Sequence, residues 1–471
     1  MQLSLAEIAN LLRCPPPEIA GLASGYSIDS RTLRPGEVFF AIRGGARDGH
    51  DFVLGALGAG AVAAVIARDA YERYAPPFRD RLLPVADPTA ALQQLAAAVR
   101  RRWGRKLVAI TGSAGKTSTK EMIARVLGAR LRVLKTEGNL NNHLGLPLSL
   151  LRLTPAHEVA VVEMGMNHRG EIARLAEIAQ PQVGVFTNVG SVHLGNFSSE
   201  DEIALAKREL AEALPANGIM VLNRDDPRVS RFGEGFGGTV AWFGLGTPDR
   251  APGVWARDVK LLGEGGSEFI AVSRDERGGE EEAVVRLQLL ARHNVANAAA
   301  ALATGLIFGL KLRTGAEALA SMASPEARGR VLHRGGATII DDCYNSNPPA
   351  LENMINLLAG MPASRRILVA GEMLELGPAA AKLHARIGEL VAQRRIDVLL
   401  AVRGEARRIL DGALQAGFGG LGEFFEDADV CGRRLAALLG PGDVVLIKGS
   451  RGVHLERVLA AIMGPEAMAA H

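Results

Sequence analysis

From residue 107 onward the chain alternates short, wholly apolar runs with longer stretches in which apolar positions recur every three or four residues. The runs at 107–110, 159–162 and 183–186 are rich in Val, Ile and Ala with no polar face, which predicts strands covered on both sides. Helical spacing between them predicts a parallel sheet with helices on its faces. The alternation returns at 338–340, 367–370, 398–402 and 444–447, separated by amphipathic stretches such as 378–394. This last part reads as an open dinucleotide-type sheet, although no G-x-G-x-x-G fingerprint opens it. Residues 230–290 are Gly-rich and strand-like, and an Ala-rich helix is predicted over 294–310. Residues 1–104 read as short strands and helices ending in the helical stretch ALQQLAAAVRRRWG.

The expected fold is α/β in three domains. A smaller N-terminal α/β domain covers 1–104, a central phosphate-loop-type domain with a mostly parallel sheet covers 105–315, and a C-terminal Rossmann-like sheet covers 316–471. A length of 471 residues agrees with this, at roughly 150 residues per domain. Composition adds exclusions. The net charge of +3 is spread along the chain without dense basic runs, so no nucleic-acid partner is expected. Cys14, Cys343 and Cys431 are too few and too scattered for a disulfide framework or a zinc site, which suits a reducing compartment. The amino terminus has helical periodicity with Glu7 inside it rather than the apolar core of a signal peptide, and no run is long enough to span a bilayer. A cytoplasmic protein, monomeric and without a membrane span, is expected.

The strongest chemical signal is LVAITGSAGKTS, in which a buried strand passes through a Gly-rich turn into a helix beginning near Thr117. Gly112, Ser113, Ala114 and Gly115 expose backbone N–H groups, Lys116 adds a point charge, and Thr117 offers a hydroxyl to Mg²⁺. Ile110 stands where the full G-x-x-x-x-G-K-[ST] pattern needs glycine, so the loop is a shortened variant. Glu163 ends an apolar strand, which puts a carboxylate at the edge of the sheet where ligands of open α/β sheets bind. His193 and Lys207 carry no such signal of their own. By residue type alone, one is a loop histidine and the other a lysine on a charged helix.

TGSAGKTSTK, VVEMGMN, NVGSVHLGNFSSEDEIALAKREL, RHNVANAAAA, RGR and IIDDCYNSNP follow one another along nearly the whole chain. In this order they resemble the Mur ligase family. The resemblance implies transfer of the ATP γ-phosphoryl group to a substrate carboxylate, followed by attack of an amine to form an amide. It implies that Lys116 contacts the phosphates, that Thr117 and Glu163 hold one Mg²⁺, and that His193 helps to hold a second. It implies that Lys207 carries a carbamate that positions the second ion. Asn294 would meet adenine, with His293 in the same motif. Arg330 would reach the phosphates, and Asp342 would bond the ribose with Tyr344 and Asn345 beside it. Ala291 stands where family members commonly have glycine.

Within the family, DDCYNSNP, GEMLELG and LIKGSRG resemble members that add D-alanyl-D-alanine, and the D-N-P-R of members that add diaminopimelate is absent. The implied acceptor is UDP-N-acetylmuramoyl-tripeptide. SIDSRTLRPGEVFFAIRG makes Ser30 and Arg31 candidates for its nucleotide-sugar end, and TEGNLNNHLGLPLSLL makes Thr136, Asn139, Asn141 and Asn142 candidates for the peptide channel. Alternatives are a diaminopimelate-adding member, a folylpolyglutamate synthase, and a slow ATPase with a regulatory, partner-switching role.

Overall fold

The computed structural model describes residues 1–45, 47–190, 195–322 and 327–464. It contains three sheets, of four, nine and six strands. The first is parallel and in chain order, from Gly25–Ser27 through Glu37–Phe40 and Ala63–Ala67 to Leu82–Val85. The helix Pro88–Trp103 then leads into the central sheet, capped at its start by the Asp87 side chain and ended by Gly104 at φ +67°. Its last turns fasten the two units together. Arg100 Nε and Nη2 donate to the carbonyls of Ala179 and Gln180, at 2.6 and 2.9 Å, and Trp103 Nε1 donates to that of His157 at 3.0 Å.

In the central sheet, Leu107–Thr111 lies between Val159–Glu163 and Val183–Phe186, all three parallel and wholly buried. The chain leaves Leu107–Thr111 for the sheet edge at Val133–Lys135, returns through Val159–Glu163, and crosses to the other side at Val183–Phe186. That reversal leaves a crevice at the carboxyl end of Leu107–Thr111. The Gly-rich stretch before the Ala-rich helix supplies Thr239–Leu245, Gly253–Leu261, Ser267–Arg274 and Glu280–Leu287. They extend the same sheet, and its last two pairings are antiparallel. The Ala-rich helix spans Arg292–Ile307 and packs beside Lys116–Leu127 in one core.

The helix Leu312–Ala320 buries Leu312, Ala316 and Leu319 in that core as well. The expected boundary at 315/316 therefore falls inside a helix of the central unit, and the third sheet opens at Arg330–Arg334. Its order is Arg330–Arg334, Ala337–Asp342, Val444–Lys448, Arg366–Gly371, Val398–Val402 and Leu421–Phe425. The first pair is antiparallel and the rest are parallel. Among the described residues, no helix is long and apolar enough to cross a membrane.

Candidate active-site cleft

A cleft of about 1630 Å³ lies between the central and third sheets, lined by the Gly-rich turn on one side and by Asp342, Tyr344, Asn345 and Lys448 on the other. The turn follows from its glycines. Gly112 sits at φ +153°, and a Cβ there would lie 1.8 Å from Thr187 Oγ1, so no other residue fits. Gly115, at φ +80°, starts the helix Lys116–Leu127 with no side-chain cap, which leaves its amino end open to the cleft. The segment after Val183–Phe186 braces the turn from behind. Ala114 N–H donates to Asn188 Oδ1 (2.8 Å), Thr187 Oγ1 to the Ala114 carbonyl (2.6 Å), and Ser113 Oγ to the Gly190 carbonyl (3.1 Å).

Lys116 Nζ folds back over the turn onto the carbonyls of Gly112 and Ser113, at 2.8 and 3.3 Å. Burial draws its amine below the ordinary lysine value, opposed by nearby Glu163 and reinforced by the charge of Arg328. Thr117 Oγ1 donates to Glu163 Oε2 at 2.7 Å, and Glu163 is only 2% exposed. Asn141 Nδ2 donates to the other carboxylate oxygen at 2.8 Å, and Glu163 N–H donates to Thr136 Oγ1 at 3.3 Å. Two oxygen donors on adjoining elements thus meet at the turn and face the cleft, a set that suits a hard cation sharing its shell with phosphate oxygens and water.

Lys207 projects from Glu200–Glu212, whose first turn is capped by Ser199. It lines the cleft at 2% exposure. It makes no hydrogen bond or ion pair to another described residue. Burial pushes its amine well below the usual lysine value, and the charge of Lys116 pushes it further the same way. His193 lies outside the described residues.

Asn294 is buried, donates Nδ2 to the Leu290 carbonyl at 2.7 Å, and accepts from Asn297 Nδ2 at 3.1 Å. Ala291 just before it holds φ +67°, a conformation glycine adopts without strain. Burial lowers the His293 ring to a pKa of about 4. Across the cleft, Lys448 Nζ donates to Asp342 Oδ2 at 2.7 Å and to the Asn345 carbonyl at 2.9 Å.

Several candidates sit elsewhere. Arg330 does not line the cleft. It pairs across the strands with Asp341 at 3.6 Å, and Arg328, two residues earlier, lines the cleft in its place. Arg328 Nη2 donates to Thr117 Oγ1 at 3.2 Å, and its guanidinium lies 3.9 Å from the centre of the Tyr344 ring. Asn139 and Asn141 line the cleft, whereas Thr136 is buried beneath Glu163, and Asn142 Oδ1 turns to the start of Gly145–Leu151, where it accepts from Leu144 and Gly145 N–H. Ser30 and Arg31 lie on the first domain, outside this cleft. Arg31 is exposed and paired with Asp29 at 2.6 Å. Residue type alone singled out none of Lys120, Asn188, Asn297, Arg328 and Lys448. Lys120 carried a usable signal, because it lies one helical turn beyond Lys116 and so on the same inward face.

Three family models match in order: Mur ligase family, catalytic domain, over 23–100; Mur ligase middle domain, over 110–305; and Mur ligase, glutamate ligase domain, over 327–451. A Mycobacterium tuberculosis protein named UDP-N-acetylmuramoyl-tripeptide–D-alanyl-D-alanine ligase is 36% identical, over 99% of this chain and 98% of that protein. The chain belongs to the Mur ligase family. As a Mur ligase it is an ATP-dependent ligase, and its three sheets match the family's architecture. A solved structure of MurF from Acinetobacter baumannii superposes with a TM-score of 0.86 at 29% identity, covering 98% of this chain and 99% of that one. MurF ligase from Thermotoga maritima, solved in complex with ADP, gives 0.78 at 30% identity, covering 93% and 96%.

Proposed function

We propose that this Mur ligase joins D-alanyl-D-alanine to the terminal carboxylate of UDP-N-acetylmuramoyl-tripeptide, with conversion of ATP to ADP and phosphate, in the cytoplasmic synthesis of a peptidoglycan precursor. The observation that carries this reading is end-to-end likeness to a ligase of that name, together with a cleft that unites the phosphate turn, the Thr117–Glu163 pair and the Asp342–Lys448 edge.

The open amino end of Lys116–Leu127 and the Lys116 amine bind the β- and γ-phosphates. In doing so, Lys116 exchanges two neutral carbonyls for anionic oxygens. Thr117 and Glu163 would hold one Mg²⁺, which would supply neutralising charge to the transferring phosphoryl group. Asn141 fixes the Glu163 carboxylate, and Thr136 holds the backbone N–H that carries it, so that the carboxylate need not reorganise during the reaction. Asn294 and Asp342 hold the nucleoside end, with Tyr344 and Asn345 beside it. Ser30 and Arg31 take the UDP-sugar end of the acceptor, and Asn139 and Asn141 line the path of its peptide. An acceptor carboxylate oxygen attacks the γ-phosphorus and ADP leaves. The dipeptide amine then attacks the acyl carbon, phosphate departs with that oxygen, and the amine proton is lost.

Lys207 is the carbamate of this site. A buried amine with no partner among the described residues, beside another cation, is stabilised by neutrality. The neutral amine reacts with CO₂, forming an N–C bond and releasing one proton. The anion that results would supply the charge needed for a second Mg²⁺, which His193 would help to hold.

A substrate panel tests the proposal. Phosphate release should require both UDP-N-acetylmuramoyl-tripeptide and D-alanyl-D-alanine. Efficient ligation of diaminopimelate to the UDP-muramoyl dipeptide, or of glutamate to a folate, would overturn it.

A further inference from the structure

Arg328 stands between two units of the fold. The backbone around it belongs to the third sheet, because Gly329 N–H donates to the Asp341 carbonyl at 2.9 Å and Tyr344 N–H to that of Ala327 at 3.1 Å. Its guanidinium lies along the Tyr344 ring, yet its donor reaches Thr117 at the phosphate turn of the central unit.

That contact falls on the two oxygens read above as the metal pair. A threonine hydroxyl has one proton and two lone pairs. The proton of Thr117 goes to Glu163 Oε2, and Arg328 occupies one lone pair at 3.2 Å. The second carboxylate oxygen already accepts from Asn141. A divalent cation approaching Thr117 and Glu163 therefore meets a guanidinium in hydrogen-bond contact with one of its ligands, and the two positive charges repel across a half-buried site. Among the described residues no carboxylate forms an ion pair with Arg328, so displacing it without a new anionic partner is unfavourable. A bound di- or triphosphate changes this, because its oxygens offer a guanidinium a charged, bidentate partner.

We infer that Arg328 is an internal counter-cation. It holds the Thr117 side of the Thr117–Glu163 seat and gives it up only when nucleotide arrives, so that metal and nucleotide bind cooperatively and the third sheet senses the exchange through Tyr344. The inference rests on the reading of Thr117 and Glu163 as metal ligands. It assigns to Arg328 a role in when the metal binds, apart from any part in the chemical step.

Mn²⁺ serves as the probe, its free fraction read by electron paramagnetic resonance with the full-length enzyme, with and without ADP. In the wild type, Mn²⁺ alone should bind weakly and ADP should tighten it. In Arg328→Met, Mn²⁺ alone should bind at least about tenfold tighter than in the wild type, and ADP should add less. Arg328→Lys keeps the charge but loses the planar fork and the ring contact, and should fall between. It also carries the test if Arg328→Met fails to fold by circular dichroism. Equal Mn²⁺ affinity in folded wild-type and variant enzymes without nucleotide overturns the inference. Glu163→Ala separates it from the reading beneath. If that variant keeps Mn²⁺ in the presence of ADP, the metal assignment itself is at fault.

Discussion

Lys120→Met tests how the cleft is held in shape. Lys120 is fully buried on the phosphate-turn helix, and its Nζ donates to the carbonyls of Thr136 and Gly138 at 2.7 and 3.3 Å, with Glu121 Oε1 at 3.1 Å. These bonds tie the loop carrying Asn139 and Asn141 to the turn that holds phosphate. Methionine fills a similar volume, but it leaves unmade one well-made hydrogen bond to the buried Thr136 carbonyl and one long, half-buried bond to that of Gly138. At about 1–3 kcal/mol for the first and less for the second, with Glu121 still paired to Lys135, the loss should be about 2–4 kcal/mol. Against a stability of roughly 5–15 kcal/mol the enzyme stays folded. The damage should be local: hydrogen exchange by mass spectrometry should show faster exchange over 136–141 and unchanged exchange over 120–127. Because Asn141 then holds Glu163 loosely, kcat should fall about tenfold or more, since small misplacements at a reacting centre are costly. ADP affinity, set by the turn, should move by less than about threefold. Wild-type exchange over 136–141 together with urea stability within about 0.5 kcal/mol of wild type would refute the reasoning.

Lys116→Ala should fold normally and lose at least on the order of 10²-fold in kcat, read by phosphate release, because a preorganised cation on a transferring phosphoryl group stabilises by several kcal/mol. Lys207→Ala should nearly abolish ligation while keeping ADP binding by calorimetry. Acetate, but not chloride at equal ionic strength, should restore part of the rate, and wild-type turnover in this variant would return Lys207 to an ordinary buried lysine. Ala291→Gly should stabilise the protein by about 1 kcal/mol in urea unfolding, because it relieves a positive φ that a Cβ resists; a loss of stability would contradict the strain.

The phosphate turn was legible because its partners are local: strand, glycines, lysine and helix lie within one short stretch, and Glu163 ends a run whose period alone marks a strand. The four strands after residue 238 showed only as a strand-like stretch, since nothing local says that they extend a sheet begun at Leu107. Arg328 and Arg330 differ by strand geometry that composition does not carry. Arg330 falls opposite Asp341 in an antiparallel pair and is drawn to it, which leaves the earlier arginine for the cleft. Lys207 is an ordinary helix lysine by spacing. Its isolation depends on what surrounds it in the fold, and only family resemblance pointed to it. Asn188, Asn297 and Lys448 escaped notice for the same reason, because each acts on a segment brought close by the fold rather than by sequence.

The most direct measurement of the ligation chemistry follows oxygen. UDP-N-acetylmuramoyl-tripeptide labelled with ¹⁸O in its terminal carboxylate is turned over with ATP and D-alanyl-D-alanine, and the released phosphate is examined by mass spectrometry. Attack of the carboxylate on the γ-phosphorus predicts one ¹⁸O in each phosphate and the other in the new amide carbonyl. Phosphate free of label, with pentapeptide formed, would contradict an acyl phosphate and with it the role given to this cleft.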